Sequence, residues 1–114
     1  MAFVLFAEIE SHVVGFAIYF LTFSSFLARP GIWLEDLFVD ESSRGRGAGK
    51  ALMSHLGLLA EQRGYGRVEW VAATDNAKGL AFYERNGAQV QDTIRVLRLD
   101  RTGISKLAHY GTAA

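Results

Sequence analysis

Cysteine is absent from this 114-residue chain, which excludes disulfides, zinc–thiolate sites and a cysteine nucleophile. Proline occurs once, and no repeat, linker or low-complexity stretch interrupts the sequence. Charge of one sign is also missing. Twelve Lys and Arg balance twelve Asp and Glu, so there is no basic field and nucleic acid is not an expected partner. His12, His55 and His109 lie far apart, in no ligand-spaced pair, and no metal site is expected. The longest apolar run, residues 13–21, falls well short of the roughly 20 residues of a membrane helix. The N-terminus has no basic region and carries Glu8 early, unlike a secretion signal. The expectation is a soluble, cytoplasmic protein without membrane contact.

Half of the residues are apolar, enough for a globular fold. The length suits a single domain over residues 1–114 with one core. Residues 3–9 and 13–23, parted by the polar Glu10-Ser11-His12, read as a strand hairpin. Gly15 inside the second strand suggests a bulge or a close contact. Ala28-Arg29-Pro30-Gly31 reads as a turn, and residues 32–39 as a third strand.

Leu52, Leu56, Leu59 and Ala60 recur at helical spacing within residues 50–63, and Gly64 and Gly66 close that helix. Residues 67–73 form a fourth strand and residues 76–86 a short helix stopped by Gly87. Residues 89–99 make one long strand or two short ones, and residues 104–110 a terminal helix or tail. The β-α-β step over residues 32–73 implies a parallel crossover, and the hairpin makes the sheet mixed. The expected class is α/β.

Between the third strand and the long helix stands Arg44-Gly45-Arg46-Gly47-Ala48-Gly49. Glycines let the main chain approach an anion, and the bare N–H groups of a first helical turn point at it. Arg44 and Arg46 add positive charge. A Walker A loop would need Gly at position 44 and Ser or Thr at position 51, where Arg44 and Ala51 stand. A dinucleotide fingerprint would need Gly or Ala in place of Lys50. What fits is Arg-x-x-Gly-x-Gly, with Arg44, Gly47 and Gly49.

That motif resembles the diphosphate-binding turn of the GNAT N-acetyltransferase superfamily. Three further features share the resemblance, in the right order. Leu34-Glu35-Asp36-Leu37-Phe38-Val39 is similar to the strand before the turn in diamine (spermidine/spermine) N-acetyltransferases. Asn76 and Tyr83 have their Asn-to-Tyr spacing. Tyr83-Glu84-Arg85-Asn86-Gly87-Ala88 looks like their Tyr-x-x-x-Gly-Ala ending. Residues 67–70 and 95–99 are also similar, so the likeness covers essentially the whole chain.

The resemblance implies a mixed GNAT-like sheet with an antiparallel N-terminal hairpin, a β-α-β coenzyme-binding core and a C-terminal strand pair. It lacks the family's usual first strand and two helices. The co-substrate implied is acetyl-CoA, with no metal. Arg44, Gly45, Arg46, Gly47, Ala48, Gly49 and Lys50 would hold its diphosphate. Backbone groups of Leu37, Phe38 and Val39 would pair with the pantetheine amides, the Phe38 N–H serving as oxyanion donor. Asn76, an ordinary helix N-cap by position, would also bond the pantetheine arm.

Acetyl transfer to an amine needs an unprotonated nitrogen, a donor to the developing oxyanion and a proton for the departing sulfur. Tyr83, whose phenol has a reference pKa of about 10, keeps its proton at neutral pH, and the resemblance makes it the general acid. Glu35 would be the carboxylate near the acceptor amine, binding its ammonium form or taking its proton through water. Neighbours on a strand face opposite sides, so Asp36 is read as structural. Glu69, Trp70 and Val71 correspond to acceptor contacts. The stretch Ala72-Ala73-Thr74-Asp75 departs from relatives that carry bulkier residues and a tryptophan there, which loosens the link to polyamines. Tyr19, Phe20, Phe23 and Phe26 read as core aromatics, and His55 as a core or boundary residue.

The implied function is acetyl-CoA-dependent acetylation of a primary amine on a small molecule, a polyamine or a lysine-like amino acid, by direct transfer. The alternative is a truncated, non-catalytic acyl-CoA-binding or interaction module. The apolar sheet surface left bare by the absent helices points to a homodimer.

Overall fold

The computed structural model of the chain describes residues 1–111. The chain divides into two compact units, Met1–Phe82 and Tyr83–Ala114. The first contains β1 (Ala2–Ile9), β2 (His12–Ser24), β3 (Arg29–Val39), a short 3-10 turn at Glu41–Ser43, α1 (Ala48–Arg63), β4 (Val68–Glu69) and most of α2 (Ala77–Arg85). The second holds the end of α2, an irregular stretch and α3 (Arg101–Ala108).

The four strands form one sheet in the order β1-β2-β3-β4. β1, β2 and β3 pair antiparallel, and β3 pairs with β4 in parallel, Ile32 beside Val68 and Trp33 beside Glu69. The mixed α/β sheet expected from the sequence is therefore present. β1 and β2 are joined by Glu10 and Ser11, both at positive φ (52° and 67°), the geometry of a two-residue type I′ hairpin. The second turn lies earlier than expected. Arg29, Pro30 and Gly31 already belong to β3 and face Ser24, Phe23 and Thr22. Pro30, which has no N–H to give, sits near the strand's start, and its carbonyl accepts from the Gly66 N–H at 2.9 Å.

The core forms where α1 covers one face of this sheet. Ala48, Leu52, Leu56 and Ala60 repeat every fourth residue and are buried, one stripe of the helix. Leu52, Leu56 and Ala60 meet Ala17, Tyr19, Ile32 and Leu34 from β2 and β3, with Phe3, Leu5 and Ala7 of β1 at the margin. Ile32 and Leu56 are fully buried. Phe3 stacks on Tyr19 with ring centroids 5.3 Å apart. Gly64 ends α1 in the left-handed conformation. On the other face, Val4, Phe6 and Phe38 are exposed.

Gly15 combines both expectations placed on it. Ala7 pairs with Gly15 but Glu8 with Val13, so Val14 is an extra residue in β2, a bulge beside the glycine. A Cβ on Gly15 would lie 2.6 Å from the Phe38 carbonyl oxygen, so the strands approach more closely there than a side chain permits.

Two strand expectations are corrected. The fourth strand is limited to Val68–Glu69 rather than residues 67–73. Its ladder on β3 stops at Trp33, just before an irregularity at Glu35 that breaks the even spacing of a parallel ladder. Residues 89–99 form no strand. A strand persists by pairing, and Val90, Ile94, Val96, Leu97 and Leu99 are all exposed, so their pattern buries no face. The terminal helix is present and begins at Arg101, earlier than expected, because Asp100 caps it: its Oδ1 accepts from the Gly103 N–H at 2.8 Å. Among the described residues, no helix is long and apolar enough to cross a membrane.

Candidate acyl-coenzyme site

One extra residue organises the end of β3. Tyr19 pairs with Leu34 and Ile18 with Asp36, so Glu35 has no opposite number on β2 and forms a β-bulge. Beyond it the direction of each backbone group follows from the ladder. The Asp40 N–H donates to the Val14 carbonyl at 2.7 Å, continuing the register Val39–Gly15 and Phe38–Phe16. Hydrogen-bonded pairs alternate in an antiparallel ladder, so Phe38 turns its N–H toward β2. Leu37 and Val39 turn theirs the other way, to the edge that β4 no longer covers. The expected oxyanion donor, the Phe38 N–H, is thus spent within the sheet, and the open donors are those of Leu37 and Val39.

That open edge leads into the glycine turn. The Val39 carbonyl accepts from the Arg44 Nε at 3.1 Å, which ties the exposed arginine to the strand end. Gly45 and Gly47 have φ near +85°, with open space where a Cβ would stand. Any other residue would be strained there. α1 starts without a side-chain cap and without an acid in its first turn, and its first internal bond runs from the Ala51 N–H to the Gly47 carbonyl. Among the described residues, no acceptor takes the N–H groups of residues 45–50. Arg44, Arg46 and Lys50 are exposed around them. Bare amides, a helix N-terminus and three cations suit an anion such as a diphosphate, and the β3 edge suits an amide-bearing chain leading to it.

The bulge also changes which way the carboxylates face. Ile32 and Leu34 are buried toward α1, so Trp33 lies on the opposite face, beside Glu69. The Trp33 Nε1 donates to the Glu35 Oε2 at 3.0 Å, which brings the Glu35 side chain to that face. Asp36, paired with Ile18, shares it. The expectation that Glu35 and Asp36 face opposite sides is corrected: a bulge places two successive side chains on one side. Glu69 is ion-paired there with Arg67, Oε1 to Nε 2.9 Å. Asp36 has no hydrogen-bond or ion-pair partner among the described residues.

Trp70 packs against the core, and Val71 is exposed. Of the aromatics read as core, Tyr19 is buried and Phe20 half-buried, whereas Phe23 and Phe26 are exposed. They flank the β2–β3 turn, beyond the reach of α1's covering stripe. His55 is an exposed boundary residue lining a groove of about 220 Å³ between β1 and α1 with Leu5, Ala7 and Leu52.

On α2, Asn76 caps the first turn, its Oδ1 accepting from the Gly79 N–H at 3.1 Å. Phe82 lies against the start of α1, its ring 3.5 Å from where a Gly49 Cβ would be. Tyr83 belongs to the second unit. It is half-buried, and its carbonyl accepts from the N–H groups of Asn86 and Ala88, closing the helix just before Gly87, at φ 96°.

Comparison with known proteins identifies the family and the fold. Residues 1–88 match the model of the acetyltransferase (GNAT) family. The chain is similar to the L-ornithine N5-acetyltransferase of Arabidopsis thaliana, 41% identical over 87 residues that cover 76% of this chain and 38% of that protein. It is also similar to a tyramine N-feruloyltransferase of Nicotiana tabacum, 30% identical over 96 residues, 84% of this chain and 42% of the other. Among solved structures, an integron cassette protein from the mobile metagenome of V. cholerae superposes with a TM-score of 0.84 at 33% identity, covering 92% of this chain and 65% of that one. The chain thus spans about two-fifths of the length of these two relatives.

Proposed function

The chain belongs to the acetyltransferase (GNAT) family, and on that premise we propose that it transfers an acetyl group from acetyl-CoA to a primary amine of a small molecule, a polyamine or lysine-like amino acid. The observation that carries this reading is the continuity of the open Leu37–Val39 edge with the uncapped glycine turn. Few ligands need a row of amide partners ending at a diphosphate cradle. Relatives whose names specify ornithine and tyramine as acceptors support an amine. So does the carboxylate-bearing face at Glu35, Asp36 and Glu69.

Acetyl-CoA, when bound, supplies the activated acyl group. The residues of this chain then have separate tasks. Gly45 to Lys50 offer N–H groups to the diphosphate, with Arg44, Arg46 and Lys50 adding charge. Leu37 and Val39 offer N–H groups along the pantetheine arm and toward the acyl oxygen, and the Asn76 Nδ2, left over from capping, is a further donor for that arm. Glu35 attracts the ammonium form of the acceptor and takes its proton through water. An acceptor amine has a pKa near that of lysine, about 10.4, so it arrives protonated and must lose a proton before it attacks. Tyr83 gives its phenolic proton to the departing sulfur. The apolar patch that Val4 and Phe6 of β1 expose on the outer face of the sheet, away from Glu35 on β3, supports a homodimer, which sedimentation at micromolar concentration tests.

Titrating the protein with CoA in a calorimeter, then following free thiol with a panel of amines, tests the function. Binding and thiol release on a diamine or basic amino acid are expected. Tyr83→Phe should lower turnover about 10²–10⁴-fold, as for loss of a general acid, with CoA affinity unchanged. Binding without thiol release on any amine would support the alternative, a non-catalytic acyl-CoA-binding module. No heat with CoA would sink both.

A further inference from the structure

We propose that Trp33 is a positioning residue for acyl transfer, its indole N–H holding the Glu35 carboxylate ready for the incoming amine; this rests on the acyltransferase reading above. Glu35 is the bulged residue of β3, with no pairing partner on β2 and an exposed side chain. Left to itself, such a glutamate samples many rotamers, and ordering it costs side-chain entropy. The hydrogen bond from the Trp33 Nε1 to the Glu35 Oε2, 3.0 Å long, bears that cost before the acceptor arrives.

The identity of the donor matters. An indole N–H is neutral and donates once, so it fixes one carboxylate oxygen, leaves the other without a hydrogen-bond partner among the described residues and leaves the negative charge intact. Glu69, beside Trp33 on β4, shows the contrast: its charge is met by Arg67 at 2.9 Å. Of the three carboxylates on this face, Glu69 is therefore neutralised by a cation, Glu35 is held by a neutral group, and Asp36 has no hydrogen-bond or ion-pair partner among the described residues. The second arrangement suits an ammonium ligand. The tryptophan is itself well anchored, being half-buried on a paired part of β3 opposite Phe20.

Two measurements test this, one independent of turnover. The chain has two tryptophans, and the indole N–H resonance lost in Trp33→Phe identifies Trp33. That resonance should move in Glu35→Ala and again when 1,4-diaminobutane is added to the wild type. In steady-state kinetics, Trp33→Phe keeps the apolar ring and removes the donor. It should raise KM for the amine roughly 10–150-fold, the scale of one lost hydrogen bond to a charged group, while KM for acetyl-CoA and the melting temperature stay put. In a Glu35→Ala background the same substitution should add nothing further.

An indole resonance indifferent to Glu35→Ala would overturn the proposal by removing the bond. So would an unchanged amine KM in Trp33→Phe, or effects of the two substitutions that simply multiply. If the resonance responds to Glu35→Ala but the wild type releases no thiol with any amine, the acyltransferase reading has failed, and the proposed role fails with it although the bond is real.

Discussion

The two halves of β3 share a strand and do different work. Residues 29–34 are bonded along both edges, to β2 throughout and to β4 at Ile32 and Trp33, and they contribute Ile32 and Leu34 to the core. Residues 36–39 are bonded along the β2 edge alone, and Asp36 and Phe38 are exposed. The division falls at Glu35, the extra residue. A one-residue insertion in a ladder reverses which edge each later N–H faces. Here it comes where β4 ends, and the result is an open edge that leads to the glycine turn. The first half of the strand is scaffold, and the second half is available to a ligand.

That contrast can be broken by substitution, beginning with the largest effect. Leu34→Ala in the scaffold half should cost about 2–5 kcal/mol of stability, read as a lower denaturant midpoint, because α1 covers the space vacated. Phe38→Pro and Val39→Pro are neighbours and should diverge. Phe38→Pro deletes an N–H bonded into the β2 ladder and should destabilise by roughly 1–3 kcal/mol. Val39→Pro deletes an N–H on the open edge. Because the Val39 side chain also packs against the core, it should lower the melting temperature, though less than Phe38→Pro, while weakening CoA binding about tenfold, the value of roughly 1.4 kcal/mol, in a calorimetric titration. Equal destabilisation by both would mean that the alternation is misassigned. Gly47→Ala, which forces a side chain into a left-handed conformation, should cost about 1–2 kcal/mol of stability, and CoA should recover part of that loss if its diphosphate orders the turn.

Much of the architecture was legible beforehand because its causes are local. The fourfold spacing of Leu52, Leu56 and Ala60 defined α1 and its buried face, Gly64 its end, and Asn76 the cap of α2. The glycine turn was legible for the same reason, since positive φ at Gly45 and Gly47 is a property of the residue itself. The bulge at Glu35 was not. Nothing in Leu34-Glu35-Asp36 distinguishes a regular strand from one with an inserted residue, because the insertion is relative to a partner elsewhere in the chain. The side shared by Glu35 and Asp36 and the inward N–H of Phe38 follow from that insertion, whereas Trp33 and Glu35, two residues apart, would share a face in a regular strand as well. Residues 89–99 failed for the converse reason: their composition suits a strand, but a strand requires something to pair with.

Sequence alone determined the elements whose causes lie within a few residues, the α/β class, and, through the spacing of Arg44, Gly47, Gly49, Asn76 and Tyr83, the likeness to a family of acyltransferases. Tertiary structure decided which strands meet, where a ladder gains a residue, and therefore which amides and carboxylates are left facing outward. A hydrogen bond between strands has two ends, and an element read by itself supplies only one of them.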